Sequence, residues 1–102
     1  MTNTAQASVP EHIISELRSL PVVLAQAGYA PVKVIAEESF GNFAVTYAGP
    51  RGVIQIARDR GQFTVSGPTK TELEESGLWR TFVGTRELEQ PLKHWLGIAN
   101  EA

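Results

Sequence analysis

Residues 32–66, VKVIAEESFGNFAVTYAGPRGVIQIARDRGQFTVS, contain four short runs in which apolar and polar side chains alternate, separated by three turn-forming segments. Alternation with a period of two is typical of β-strands that bury one face. The three turns are shorter than the crossovers of about a dozen residues that parallel strands need. The stretch therefore predicts a four-stranded antiparallel meander whose first strand spans residues 32–38.

The predicted meander has two different faces. We expect helices to cover the face that carries aromatic and aliphatic side chains, namely Phe43, Val45, Tyr47, Ile54, Ile56, Phe63 and Val65. The opposite face carries small and polar side chains, namely Ala44, Thr46, Ala48, Gln55, Ala57, Thr64 and Ser66. Small side chains leave the backbone close to the surface, so this second face is suited to be a flat docking platform.

An amphipathic segment precedes the meander. Ser8 is followed three residues later by Glu11, which is a capping-box pattern, and apolar residues then recur at helical spacing. Pro21 interrupts this pattern, so the segment forms either one kinked helix or two helices, the second starting at Pro21. Gly28 is suited to the left-handed position that ends such a helix.

The rest of the chain is less regular. We expect residues 69–77 to form a solvated loop or helical turn, and residues 78–83 to form a fifth strand or an apolar flap on the sheet. Thr85 is a candidate N-cap for a C-terminal amphipathic helix that ends at Gly97. Within that helix, we expect Pro91 to delay the regular part.

Together these elements predict an α+β fold: a two-layer sandwich in which an antiparallel meander of four to five strands is flanked by an N-terminal and a C-terminal helix. We expect one such domain over residues 8–98, a disordered N-terminal tail over residues 1–7 and a loose C-terminal tail over residues 99–102. A chain of 102 residues with 42% hydrophobic content can bury a core without disulfide or metal staples.

The composition argues against several classes of protein. Because the formal net charge is -2 and basic residues are not clustered, we expect no nucleic-acid partner. No apolar run approaches the roughly 18 residues of a membrane span, and the N-terminus lacks the features of a secretory signal. The absence of cysteine fits a reducing compartment, so we expect a cytoplasmic protein.

The sequence contains no recognisable catalytic or metal-binding motif. The two histidines, His12 and His94, lie in different predicted helices, whereas a zinc site needs three or four clustered ligands. Glu37 and Glu38 are adjacent, but neighbouring side chains on a strand point to opposite faces, so they do not converge as an acid/base pair. We therefore predict a protein that is not an enzyme and has no catalytic, metal-binding or cofactor-binding residues.

Acidic and arginine-containing segments are the candidate contacts for a protein partner. An acidic patch would steer a basic partner, and two arginines beside a turn would bind an anion or carboxylate. Structural interpretations stay open for each: solvated carboxylates, a core or edge tryptophan, and a type I turn over Asp59-Arg60-Gly61 that the aspartate caps. The candidate partner-binding residues are Glu37, Glu38, Arg58, Asp59, Arg60, Glu72, Glu74, Glu75 and Trp79.

Two short sequence motifs lie in the predicted turns: Phe40-Gly41-Asn42 in the first turn and Arg58-Asp59-Arg60-Gly61-Gln62 around the third. With its order of helix, meander, acidic segment and terminal helix over residues 10–97, the chain resembles small bacterial immunity proteins of polymorphic or contact-dependent toxin systems. The resemblance implies a cytoplasmic protein that binds one cognate toxin domain and blocks its active site or its assembly. Such families share no catalytic residues, so none are carried over to this chain.

Two other functions stay open. A secretion or assembly chaperone is also small and acidic; it would hold an extended or helical segment of an effector on the sheet, and it would be expected to dimerise. A small-ligand enzyme would need a pocket between the helices and the sheet, lined by Tyr47, Arg58, Trp79 and His94. The sequence leaves the oligomeric state and the face that binds a partner open.

Overall fold

The four predicted strands form one antiparallel sheet in which consecutive strands are neighbours. A computed structural model describes residues 8–37 and 41–98 of the chain. The strands are β1 (Ala30–Ala36), β2 (Phe43–Gly49), β3 (Gly52–Asp59) and β4 (Gln62–Ser66). The antiparallel meander predicted from the sequence is thus confirmed.

The first strand starts and ends two residues earlier than predicted. Pro31 is accommodated within β1 because this strand lies at the edge of the sheet, and its register against β2 shifts between Pro31 and Lys33. Beyond the shift, Val34 and Ala36 lie on the helix-facing side of the sheet, because they pair with the buried residues Val45 and Phe43.

The described residues form four helices, which make up the second layer: α1 (Glu11–Leu17), α2 (Leu20–Gln26), α3 (Lys70–Ser76) and α4 (Thr85–Leu96). Their apolar residues join the inner face of the sheet in one core, in which all seven predicted aromatic and aliphatic strand residues are buried. The predicted α+β class is confirmed, with α3 as an additional helix between the sheet and the C-terminal helix.

The N-terminal segment forms two helices rather than one. Proline lacks an N–H and its ring collides with the carbonyl four residues before it, which for Pro21 is that of Leu17, the last residue of α1. The chain therefore restarts as α2 with Pro21 in its first turn, and Gly28 follows the helix with a positive φ of 87°. The predicted Ser8 cap is wrong: α1 begins at Glu11 without a side-chain cap, because Val9 precedes a proline and is disfavoured in helical conformation.

The C-terminal helix starts earlier than predicted. Gly84 occupies the N-cap position, and its N–H donates to the Glu87 carboxylate (3.3 Å), while Thr85 is the first helical residue and is buried. Pro91 lies inside α4 and removes one helical hydrogen bond without delaying the start of the helix. Gly97 ends it with a positive φ of 77°, as predicted.

Residues 78–83 form an apolar flap and not a fifth strand. Leu78 and Phe82 are buried, whereas Val83 is exposed. The segment pairs with the sheet at a single bridge, in which Phe82 and Phe63 exchange two backbone hydrogen bonds of 2.8 Å. Before it, residues 70–76 form helix α3, whose N-terminus is capped by the Thr69 hydroxyl accepting from the N–H of Glu72 (3.1 Å).

The close approach of β2 to the α2–β1 connection gives a stability prediction. A Cβ added to Gly49 would lie 2.4 Å from ring atoms of Tyr29, which is 4% exposed and cannot move without disturbing the core. We expect Gly49→Ala to lower the free energy of unfolding by about 2–3 kcal/mol, measured by urea unfolding. Gly84→Ala is the control for the added methyl group, because a Cβ there meets no atom within 4 Å; it should lose only about 0.5–1 kcal/mol, since alanine is a poorer N-cap than glycine. A similar loss in both variants would contradict the explanation.

The carboxylate of Glu89 joins α4 to the α1–α2 junction. It accepts a hydrogen bond from Ser19 (2.5 Å) and pairs with Lys93 one turn along the helix (3.0 Å). The hydrogen bond from Ser19, followed by that from Lys93, holds the pKa of Glu89 below its usual range. A carboxyl whose pKa is lowered by folding stabilises the protein above the unfolded-state pKa, and this contribution is lost as the pH falls through the folded-state pKa.

Glu89→Gln is therefore expected to lower the free energy of unfolding by about 0.5–1 kcal/mol at neutral pH. The difference from the wild type should shrink as the pH falls through the lowered pKa, since the wild-type carboxylate is then protonated. Urea unfolding at neutral and acidic pH measures both effects. Glu75→Gln, at an exposed position of α3, is the control and should show neither; a pH-independent effect of Glu89→Gln would contradict the electrostatic role.

Candidate protein-binding face

One face of the sheet is left uncovered by the described elements. Side chains lie in a row across all four strands: Ile35 is paired with Ala44, Ala44 with Ala57, and Ala57 with Thr64. None of the seven small and polar residues predicted for this face is buried. Because small alanine side chains lie at its centre, this face is flat and its backbone lies close to the surface, as a docking surface requires.

A hollow of about 260 Å³ lies at one end of this face, beside the β1–β2 connection and the β3–β4 turn. Ala44 and Ala57 form its floor, and Ile35, which is 48% exposed, forms a wall. Glu37 and Asp59, both exposed, contribute two carboxylates to its lining. This arrangement suits an apolar stem that ends in a positive charge, as in lysine or arginine.

Asn42 ties together the two loops that border the hollow. Its Oδ1 accepts a hydrogen bond from the backbone N–H of Arg60 (2.9 Å), and its Nδ2 donates to Oε1 of Glu37 (3.4 Å). The backbone N–H of Glu37 also donates to the carbonyl of Asn42 (2.9 Å). The Glu37 carboxylate is therefore held at the rim. Sequence reasoning placed Asn42 in a turn but missed this bridging role, although asparagine after a glycine at a strand end is a signal for side-chain to backbone bonding.

The turn beside the hollow is of a different type from the one predicted. Arg60 and Gly61 are the two loop residues between β3 and β4, and both have positive φ, 56° and 80° respectively. This is a type I′ turn, whose twist matches that of the paired strands, whereas a type I turn would splay them. The predicted aspartate cap is also wrong: within the described residues the Asp59 carboxylate accepts no hydrogen bond from the turn, and the side chain that bonds the turn backbone is that of Asn42, which accepts from the N–H of Arg60.

Arg58 lies on the opposite side of the sheet from the hollow's carboxylates. It alternates with Asp59 along β3 and pairs across the sheet with the buried Phe43, so its side chain points towards the helices. There its Nε contacts the Glu16 carboxylate of α1 (3.3 Å), and its Nη1 donates to the carbonyl of Gly41 (2.9 Å). The predicted pairing of Arg58 with Arg60 in one anion grip is therefore not formed.

Glu72 lies at the other end of the sheet from the hollow. Its carboxylate contacts Arg51 of the β2–β3 turn (3.1 Å) and accepts a hydrogen bond from Nε1 of Trp95 (3.2 Å). Glu74 and Glu75 are exposed on the same helix, α3. These three glutamates therefore lie at the opposite end of the sheet from the Arg58–Arg60 turn, because successive turns of a meander alternate between the two ends of the sheet.

The last two candidate residues lie outside the hollow. Trp79 is 52% exposed beside the outer edge of β4, with the Lys70 ammonium 5.3 Å from its ring centroid. Glu38 lies outside the residues that the structure describes. Of the nine candidates, Glu37, Arg58 and Asp59 line the hollow, and Arg60 lines an adjoining depression together with Glu37 and Asp59.

The four residues of the hypothetical enzyme pocket are not brought together. Tyr47 is 2% exposed within the core, and burial raises the pKa of its phenol to about 12. Arg58 is paired with Glu16, while Trp79 is an exposed side chain of the 78–83 flap and His94 an exposed side chain of α4. Among residues 8–37 and 41–98, no group of three or more histidine, aspartate or glutamate side chains is placed to hold a metal ion.

Comparison with known proteins adds no relative. No family model, curated protein or solved structure matches the chain. Within the described ranges, no helix has the length and apolar character needed to cross a membrane.

Asn42→Ala tests whether the bridge between the two loops holds the rim of the hollow. We expect a loss of about 1 kcal/mol in unfolding free energy, because the N–H of Arg60 loses its acceptor. Hydrogen exchange at the amide of Arg60 should become faster than in the wild type. Gln62→Ala, at an exposed residue of the same hairpin, is the control and should leave this exchange unchanged; equal rates in Asn42→Ala and the wild type would show that the bridge is not formed.

Proposed function

We propose that this chain is a non-catalytic binding protein of the immunity type, which neutralises a cognate bacterial toxin domain by covering its active site or its assembly surface. The observation that carries the proposal is the uncovered sheet face with its carboxylate-lined hollow. The partner is a cytoplasmic protein domain, and the hollow receives one of its basic side chains.

Charge and shape at this face indicate the partner's chemistry. The floor residues Ala44 and Ala57 offer apolar contact, and Ile35 adds an exposed apolar wall. Glu37 and Asp59 favour a positively charged group and disfavour an acidic one, which gives specificity as well as faster association. Toxin domains that act on nucleic acids carry basic active-site surfaces, and such a surface fits this pattern.

The face is also preorganised. Two-residue turns join β2 to β3 and β3 to β4. The side chain of Asn42 forms hydrogen bonds with both loops that border the hollow. A surface that is ordered before binding loses little conformational entropy when the partner arrives, so more of the contact energy appears as affinity. This rigidity supports a role in tight binding of a folded domain.

The test is co-expression with the toxin domain encoded by the adjacent gene. The wild-type chain should form a stable complex, protect cells from growth arrest and abolish the activity of the purified toxin. The double variant Glu37→Lys/Asp59→Lys should bind roughly 10- to 100-fold more weakly, because two attractive charges become repulsive. Circular dichroism and urea unfolding confirm that the variant remains folded.

The matched control is Glu74→Lys/Glu75→Lys, which makes the same change of charge at exposed positions of α3. It should bind and protect as the wild type does. Failure of the wild type to bind or protect would overturn the immunity function, and loss of binding in the α3 variant alone would overturn the assignment of the face. A complex in which the toxin stays active would favour an assembly chaperone instead.

A further inference from the structure

The outer edge of β1 exposes main-chain groups in a defined pattern. The N–H of Glu37 donates to the carbonyl of Asn42, the residue before β2. Along an antiparallel strand, every second residue directs its N–H and C=O groups to the same neighbouring strand. Lys33 and Ile35 therefore also bond β2, whereas Val34 and Ala36 direct their N–H and C=O groups away from the sheet. No described strand pairs with this edge, since β1 is the terminal strand.

The side chains along this edge are accessible and carry opposite charges. Lys33, Ile35 and Glu37 lie on the uncovered face; all three are exposed, Ile35 by 48%. Within residues 8–37 and 41–98, Lys33 has no ion-pair partner. Ala36, on the helix-facing side, is exposed as well, so the helices leave room for a strand beside this part of β1.

We propose that β1 pairs in antiparallel fashion with β1 of a second copy of this chain, about a two-fold axis at Ile35. In this register Val34 of each copy faces Ala36 of the other, and their outward main-chain groups form four hydrogen bonds. Ile35 meets Ile35 at the centre, at about 4.5–5.5 Å between Cβ atoms. Lys33 of each copy lies opposite Glu37 of the other, which makes two ion pairs on the uncovered face.

The charges select this register over its neighbours. A shift by two residues in one direction places Lys33 opposite Ile35, and a shift in the other direction places Glu37 opposite Ile35, so both ion pairs are lost. A larger shift sets like charges against each other, which is unfavourable. At the other end of the strand, Pro31 and the register shift beside it limit pairing, as in many protected edge strands.

The result is a continuous eight-stranded sheet with an isologous interface. An edge contact of this length is at the small end of protein interfaces, so we expect a dimer that dissociates on dilution. This inference does not depend on the proposed function, because it concerns the purified chain without a partner.

Sedimentation velocity and light scattering over a concentration series test the pairing. The wild type should pass from monomer to dimer as the concentration rises. Lys33→Glu and Glu37→Lys should each weaken the dimer by about tenfold or more, since each substitution acts at both ion pairs. An equimolar mixture of the two variants should form a mixed dimer, because one copy then carries two carboxylates and the other two ammonium groups along the paired row.

Two further variants separate the pairing from general effects of charge and folding. Lys70→Glu and Glu74→Lys make the same charge changes at exposed positions elsewhere and should leave the dimer unchanged. Ala36→Pro removes an outward N–H that does not bond β2, so it should keep the native circular dichroism spectrum and lose the dimer. A wild type that stays monomeric at all concentrations, single variants that dimerise normally, or a mixture no tighter than its components would each overturn the proposal.

Discussion

The packing around Trp95 of α4 joins four segments that are distant in the sequence, and the rest of the fold depends on it. The indole is 1% exposed and packs against Tyr29, with 5.8 Å between the ring centroids. Arg51 lies over the same ring at 4.8 Å and donates a hydrogen bond to the Trp95 carbonyl. Glu72 accepts from the indole N–H and contacts Arg51, so the α2–β1 connection, the β2–β3 turn, α3 and α4 meet at one end of the sheet.

This arrangement determines which surface is left for a partner. The helices α1 to α4 all contribute to a core on one side of the sheet, and no described element covers the other side. The Trp95 cluster occupies one end of the sheet and uses the carboxylate of Glu72 for internal contacts. The carboxylates of Glu37 and Asp59, which form no ion pair with another described residue, lie at the opposite end, where they can be changed without breaking the cluster. The proposed binding site and the Trp95 cluster thus lie at opposite ends of the sheet.

Local sequence pattern was sufficient for the strands but not for the site. Alternation predicted every buried residue of β2, β3 and β4, because a period of two has the same meaning in any antiparallel sheet. The same alternation places Arg58 and Asp59 on opposite faces of the sheet. The sequence prediction overlooked this, because it treated residues 58–60 as a single binding turn. The contact of Glu72 with Trp95 joins residues 23 positions apart, and such tertiary contacts leave no periodic signal. The break between α1 and α2 was predictable, since Pro21 disfavours a regular continuous helix. The Asn42 bridge was not, because it depends on two turns that meet only in the folded protein.

Glu37 lies both at the rim of the hollow and along the outer edge of β1, so the two proposed binding surfaces share one residue. A carboxylate that faces Lys33 of a second copy is less available to a basic side chain entering the hollow, so the proposed self-pairing and the proposed partner binding would use the same charge. An unpaired, flat strand edge is also an aggregation hazard, which a weak dimer would cover in the free protein. A partner that offers more contact than four main-chain hydrogen bonds and two exposed ion pairs would displace the second copy. Because exposed ion pairs contribute little each, the balance between the two complexes should shift with salt concentration as well as with protein concentration.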